Sequence, residues 1–146
     1  MPGDAYPDSR FLVSLFRADA NHPIAVRYMA KAEETLTFTQ LHRIEIRNAL
    51  RNACALGQIT DDELKVSFQE IERDLRAGLL VHMTLEWTNV FRRADDLSAE
   101  HSKATTQRTI DLPHVAIAIE SGTKNFLSFD NRQRVLANAA GLTTRP

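Results

Sequence analysis

Short apolar runs alternate with longer stretches in which apolar positions recur every third or fourth residue, from one end of the chain to the other. The short runs read as strands: one near Ala5 to Asp8, LTFT at Leu36 to Thr39, LLVHM at Leu79 to Met83, NFLSF at Asn125 to Phe129, and LTTR after Gly141. Between them the spacing predicts helices, and their ends carry matching signals. FLVSLF continues the first strand as a helix, and Asn21 caps the next one with Pro23 in its first turn. Gln40 to Leu56 is helical and stops at Gly57; Thr60 and Glu63 in TDDE form a capping-box pair that opens a helix running to Gly78. Thr84 to Leu97 is helical, SAEHSKATTQRT is a shorter helix or irregular, Asp111 to Ser121 closes at Gly122, and Asn131 to Ala140 is the last helix. Strands separated by helices predict an α/β fold, a central parallel sheet of about five short strands with helices on both faces. Pro7 opposes this locally, because it removes a ladder donor where the first strand should be central.

Composition narrows the function. A chain of 146 residues without repeats, low-complexity segments or long linkers is expected to be one domain, residues 1–5 forming a flexible start. Lys plus Arg number 18 against 19 Asp plus Glu, so a polyanionic partner would have to meet a local basic patch rather than a global field. The single cysteine, Cys54, excludes an internal disulfide and a multi-cysteine zinc site, and reads as a buried thiol. No apolar stretch has the length of a leader or a membrane span, so a cytoplasmic location is expected, with no membrane partner.

Four acids stand out against this background. Asp8 and Asp130 follow predicted strands, Asp111 opens the apolar helix in TIDLPHVAIAIESG, and Glu45 lies mid-helix in TQLHRIEIRNAL. Taken singly, the three aspartates read as helix caps. Glu45 lacks that explanation, since its neighbours at three and four residues are Leu41, His42, Asn48 and Ala49, none of them Lys or Arg. Taken together, the acids fit a pocket at the carboxyl ends of the strands, where open parallel sheets bind ligands. Clustered carboxylates repel, and a hard divalent cation such as Mg²⁺ or Mn²⁺ relieves that repulsion and supports phosphodiester hydrolysis.

YPDSRFLVSLF, the Glu45 helix, RTIDLPHVAIAIESG and NFLSFDNRQRVLANAAGL occur in an order that resembles PIN-domain proteins, most closely the VapC-like toxins of bacterial toxin–antitoxin pairs, from about Tyr6 to Leu142. The resemblance implies a three-layer α/β/α sandwich. It also implies that Asp8, Glu45, Asp111 and Asp130 form a catalytic quartet binding Mg²⁺ or Mn²⁺ to cleave RNA, often structured RNA such as tRNA. It further implies restraint by a small VapB-like antitoxin and a homodimer. Ser128 matches a family hydroxyl that would orient a water or a carboxylate. In the first motif the chain reads Asp8-Ser9-Arg10 where the family has Asp, a small residue, then Ser, Thr or Asn. Arg10 brings a guanidinium in place of a hydroxyl or amide, and Ser9 offers a partial replacement.

Other features have plainer readings. Arg43, Arg47 and Arg51 recur every fourth residue as one helix stripe, which is a solvated face or a phosphate track. His114, three residues after Asp111, reads as a packed, hydrogen-bonded histidine ahead of a general base; His101 and Arg108 precede Asp111 in a segment that can approach substrate. Trp87 and Phe91, four apart, read as packing. Three functions follow in order: a metal-dependent endoribonuclease; a degenerate PIN domain that binds RNA or protein without hydrolysis, because of Arg10; and a phosphate-handling domain acting on a small substrate.

Overall fold

The structure, a computed structural model, describes residues 2–146. It contains β1 (Ala5–Pro7), α1 (Ser9–Phe16), α2 (His22–Ala32), β2 (Leu36–Phe38), α3 (Gln40–Ala55), α4 (Asp61–Ala77), β3 (Leu80–His82), α5 (Trp87–His101), α6 (Asp111–Glu120), β4 (Asn125–Leu127), α7 (Asn131–Ala139) and β5 (Thr143–Arg145). The strands form one parallel sheet in the order β3-β2-β1-β4-β5. Successive strand residues point to opposite faces, and the core divides accordingly. Ala5, Leu36, Phe38, Leu80 and Leu127 pack with α1 to α4, whereas Tyr6 and Phe126 pack with α5, α6 and α7. This is the expected α/β/α sandwich.

The caps explain where the helices start and stop. Thr39 and Thr60 each close a reciprocal capping box, with His42 and Glu63 as the third helical residues. Gly57 and Gly78 take positive φ just beyond α3 and α4, the left-handed conformation that ends a helix without a Cβ clash. Pro7 is accommodated because pairing of β1 with β2 is registered only at Ala5 and Leu36; the Pro7 carbonyl instead accepts a hydrogen bond from His42 Nε2 at 2.8 Å.

Several expectations need correction. α5 starts at Trp87 rather than Thr84 and runs on to His101, so SAEH belongs to it and the irregular segment begins after it. Phe91 is 60% exposed and touches Trp87 at a ring separation of 5.8 Å, so this pair lies on the surface. Cys54 is only half-buried, its thiol 3.2 Å from an Asp61 carboxylate oxygen. The start of the chain is tied down from Gly3 onward: the Gly3 and Asp4 amides donate to the Thr37 and Thr35 hydroxyls, and Asp4 accepts from the Thr35 amide. A Cβ on Gly3 would lie 2.5 Å from the Thr37 nitrogen, which is why the smallest residue stands there. Met1 lies outside the described residues.

Candidate active site

The connection β1-β2-β3 runs to one side of β1 and β4-β5 lies on the other, so the sheet's topological switch falls between β1 and β4. Asp8 follows β1 and Asp130 follows β4, which places both at the carboxyl side of that switch. α3 and α6 add Glu45 and Asp111. The four carboxylates line one cleft of about 200 Å³ together with Ser9, Arg10, Arg108 and His114.

Asp8 is 2% exposed and caps α1, accepting the Phe11 amide at 2.7 Å on Oδ1. Its Oδ2 accepts the Ser128 hydroxyl at 2.6 Å, and Ser128 Oγ in turn accepts the Asp130 amide at 3.0 Å. Burial raises the Asp8 carboxyl above its usual value, against the opposing pull of these two donors. Asp130 divides its oxygens: Oδ1 caps α7 through the Arg132 and Gln133 amides, and Oδ2 faces Arg108. Asp111 is not a cap, because Ile110 holds that position; it stands at the first residue of α6 and keeps its side chain for the cleft.

Glu45 acquires a partner from far along the chain. His114 Nε2 lies 2.6 Å from Glu45 Oε1, and the Ser9 hydroxyl donates to the same oxygen at 2.9 Å. Oε2 makes no hydrogen bond among the described residues, and Glu45 lines the cleft. Burial alone would raise this carboxyl, but the hydrogen bond and charge of His114, helped by Ser9, outweigh it and hold Glu45 below the usual value. His114 Nδ1 lies 2.7 Å from the Tyr6 hydroxyl, whose own ionisation burial pushes far up, so the phenol keeps its proton. The chain Tyr6–His114–Glu45 therefore sets the direction of the glutamate.

Arg108 is the cation of the cleft that bonds its acids. Its Nε and Nη2 donate to both oxygens of Asp111 at 2.9 and 3.1 Å, and Nη2 also reaches Asp130 Oδ2 at 3.2 Å. Among the described residues no three His, Cys, Asp or Glu groups stand ready to share one ion. Arg108 spans two of the acids instead.

The remaining predicted residues sort by position. Ser9, Arg10, Ser128 and Arg108 are at or beside the acids. Arg43 and Arg47 are elsewhere, on the side of α3 facing α4: Arg43 pairs with Glu72 at 3.0 Å, while Arg47 and Arg51 lie over the Phe68 ring at 4.3 and 5.2 Å. The stripe is a partly solvated face, with Arg51 exposed and Arg43 and Arg47 half-buried against α4, and it is not part of the cleft. His101 lies at the end of α5 near Glu100. Two residues with a role had none assigned: Tyr6, and Gln133, whose side-chain amide donates to the Asp111 carbonyl at 3.1 Å. The identical face of Asp111 and His114 was the one available signal for this network.

A profile of the PIN domain matches residues 5–139. The chain belongs to the PIN domain family. Solved structures agree on the fold of this PIN domain. VapC20 of Mycobacterium tuberculosis, a sarcin–ricin loop cleaving toxin, superposes with a TM-score of 0.67 at 18% identity, covering 97% of this chain and 99% of that one. FitAcB from Neisseria gonorrhoeae gives 0.68 at 12% identity, over 97% and 96%. PAE2754 from Pyrobaculum aerophilum gives 0.58 at 16%, over 97% and 88%. No curated protein matches the sequence. The family match and these solved structures agree on the fold, which this chain shares with a VapC toxin. No helix among the described residues is long and apolar enough to cross a membrane.

Proposed function

We propose that this PIN domain is an Mg²⁺- or Mn²⁺-dependent endoribonuclease, the toxin of a toxin–antitoxin pair. The observation that carries the proposal is the convergence of Asp8, Glu45, Asp111 and Asp130 on one cleft at the sheet's switch point. The chemistry of the donor set fits a hard divalent ion, since it is all oxygen and anionic and two of its members, Asp111 and Asp130, already share a positive group, Arg108. These four acids would hold the metal, which when bound activates water and offsets charge at the scissile phosphate.

The chain's own contribution is orientation. Ser128 fixes Asp8 and the start of α7 together, and Tyr6 acts through His114 to aim Glu45. Arg108 is held only by the two acids and its side chain is 47% exposed, so it is free to turn from Asp111 to a substrate phosphate once a metal takes its place. RNA, in structured form such as tRNA, is the proposed substrate; a VapB-like antitoxin and a second copy of the chain are the proposed partners.

Asp111→Asn and Asp130→Asn test the reading. Each is expected to abolish metal-dependent cleavage of a structured-RNA pool, as EDTA does with the native protein, while the circular dichroism spectrum is unchanged. Undiminished cutting by both variants overturns it. One observation favours the alternative of a non-catalytic module: Arg108 already neutralises two of the four acids. That alternative requires that Mn²⁺ fail to bind at all. Arg10 does not favour it, since its guanidinium is exposed and makes no hydrogen bond to the carboxylates, and Ser9 supplies the hydroxyl.

A further inference from the structure

A second groove of about 400 Å³ opens beside the acidic cleft, and the two share Arg10 and Asp130 as a common wall. It runs along α1 and is lined by Arg10, Ser14, Arg17, Asn21 and Phe129. Arg10 lies in the first turn of α1 and Arg17 follows its last residue in extended backbone, so the two arginines stand at opposite ends of that helix. That spacing suits two different phosphates of one strand rather than a single anion.

Both arginines have unused donors. Arg10 is exposed and forms no hydrogen bond or ion pair among the described residues. Arg17 donates one Nη2 bond to Gln58 at 3.0 Å, and its other terminal nitrogen, Nη1, makes no bond among the described residues, whereas its Nε is buried away from any ligand. The acids of the groove are, by contrast, engaged. Asp19 accepts from the Ser14 hydroxyl at 2.9 Å and the Asn21 amide at 3.0 Å, and Asp130 is held by Arg108 and the start of α7. Phe129 lies on the wall, one ring face stacked on Phe11 at 5.4 Å. The lining is balanced in formal charge, Arg10 and Arg17 against Asp19 and Asp130, but with the acids turned to those donors it is the two arginines and the aromatic wall that suit a single nucleic-acid strand.

We infer that this groove binds the sugar–phosphate backbone of a single-stranded RNA segment entering the acidic cleft, with Arg10 on the phosphate beside the cleft and Arg17 on one further along. The inference rests on the nuclease reading for the destination of the strand, and it assigns to Arg10, the residue that departs from the family motif, a substrate contact at the shared wall.

Fluorescence anisotropy of a short labelled single-stranded RNA, in EDTA and across a range of KCl concentrations, tests this without any turnover. Arg10→Ala and Arg17→Ala are each expected to weaken binding several-fold at low salt. Each should also reduce the slope of log Kd against log salt by about 0.7, the value for one lost phosphate contact on a single strand. Arg73→Ala is the control, since Arg73 lines a separate groove with Thr35 and Leu36 at the amino ends of the strands. Unchanged slopes in both variants, or no measurable RNA binding by the native protein, overturn the groove assignment; unchanged slopes leave the arginines to an acidic protein partner. Cleavage by the native protein with Mn²⁺, measured alongside, separates the two readings. Cutting with unchanged slopes overturns the groove alone, and reduced slopes without cutting support the groove while the nuclease reading fails.

Discussion

Asp130 uses its two carboxylate oxygens for different purposes, one to start a helix and one to face the cleft. Asparagine keeps the capping oxygen and removes the charge, whereas alanine removes both. Asp130→Asn should therefore be inactive with a near-native melting temperature, while Asp130→Ala should lose about 1 kcal/mol of cap, or roughly 4 °C. Thermal melts of the two variants check this, and equal melting temperatures would deny the cap. Arg108 makes a complementary case. Removing it leaves Asp111 and Asp130 facing each other with less compensating charge, so Arg108→Ala should melt earlier in EDTA and show a larger Mn²⁺-induced rise than the native protein. An identical Mn²⁺ shift would mean that the guanidinium and the ion do not compete. At this scale the sequence was legible for the acids themselves, because each sits beside a recognisable strand end or helix start. It was not legible for their partners. Nothing local to Glu45 announces a histidine 69 positions away, and Arg108 lies in a segment with no periodicity to aim it.

At the scale of elements, α3 is joined to β1 by a buried histidine. His42 caps its own helix through Thr39 and donates across to the Pro7 carbonyl, where the neighbouring strand makes no registered pair. Burial, reinforced by the nearby charge of His114, lowers the His42 pKa from 6.5 to about 3. The folded value lies below the unfolded one, so the unfolded chain takes up the proton first. The contribution is complete above about pH 6.5 and declines as pH falls toward 3, by up to about 1.4 kcal/mol per pH unit. Urea unfolding at pH 7 and pH 5 should show a larger loss for the native protein than for His42→Gln, and parallel losses would contradict this assignment. The elements were mostly legible because their ends carry local chemistry: the Thr60–Glu63 box and Gly78 bound α4 as expected. α5 was misplaced by three residues at its start for the opposite reason, since Glu86 stands at its cap and makes no side-chain capping bond.

At the scale of the molecule, the sheet separates two half-cores of similar make-up, one against α1 to α4 and one against α5 to α7. Leu50 and Ile117 are fully buried on opposite sides. Leu50→Ala and Ile117→Ala should each cost about 2–5 kcal/mol and combine nearly additively in a single unfolding transition. Two separate transitions would mean that the halves fold independently. The exposed Phe91 shows where pattern reading stops at this scale: helical spacing groups it with Trp87, but only the tertiary arrangement decides which side of α5 meets α6.

The placement of β4 beside β1 has a consequence for the chain's own synthesis. The bond from Ser128 to Asp8 joins residues 120 apart, and Asp130 follows two positions later. Translation produces Asp8 and Glu45 early, yet β1 lacks its second neighbour and the cleft lacks one wall until the ribosome has passed Asp130. On the proposed nuclease reading, a nascent chain is therefore inert toward the RNA that surrounds it, and becomes competent only when a late strand slots in next to the first.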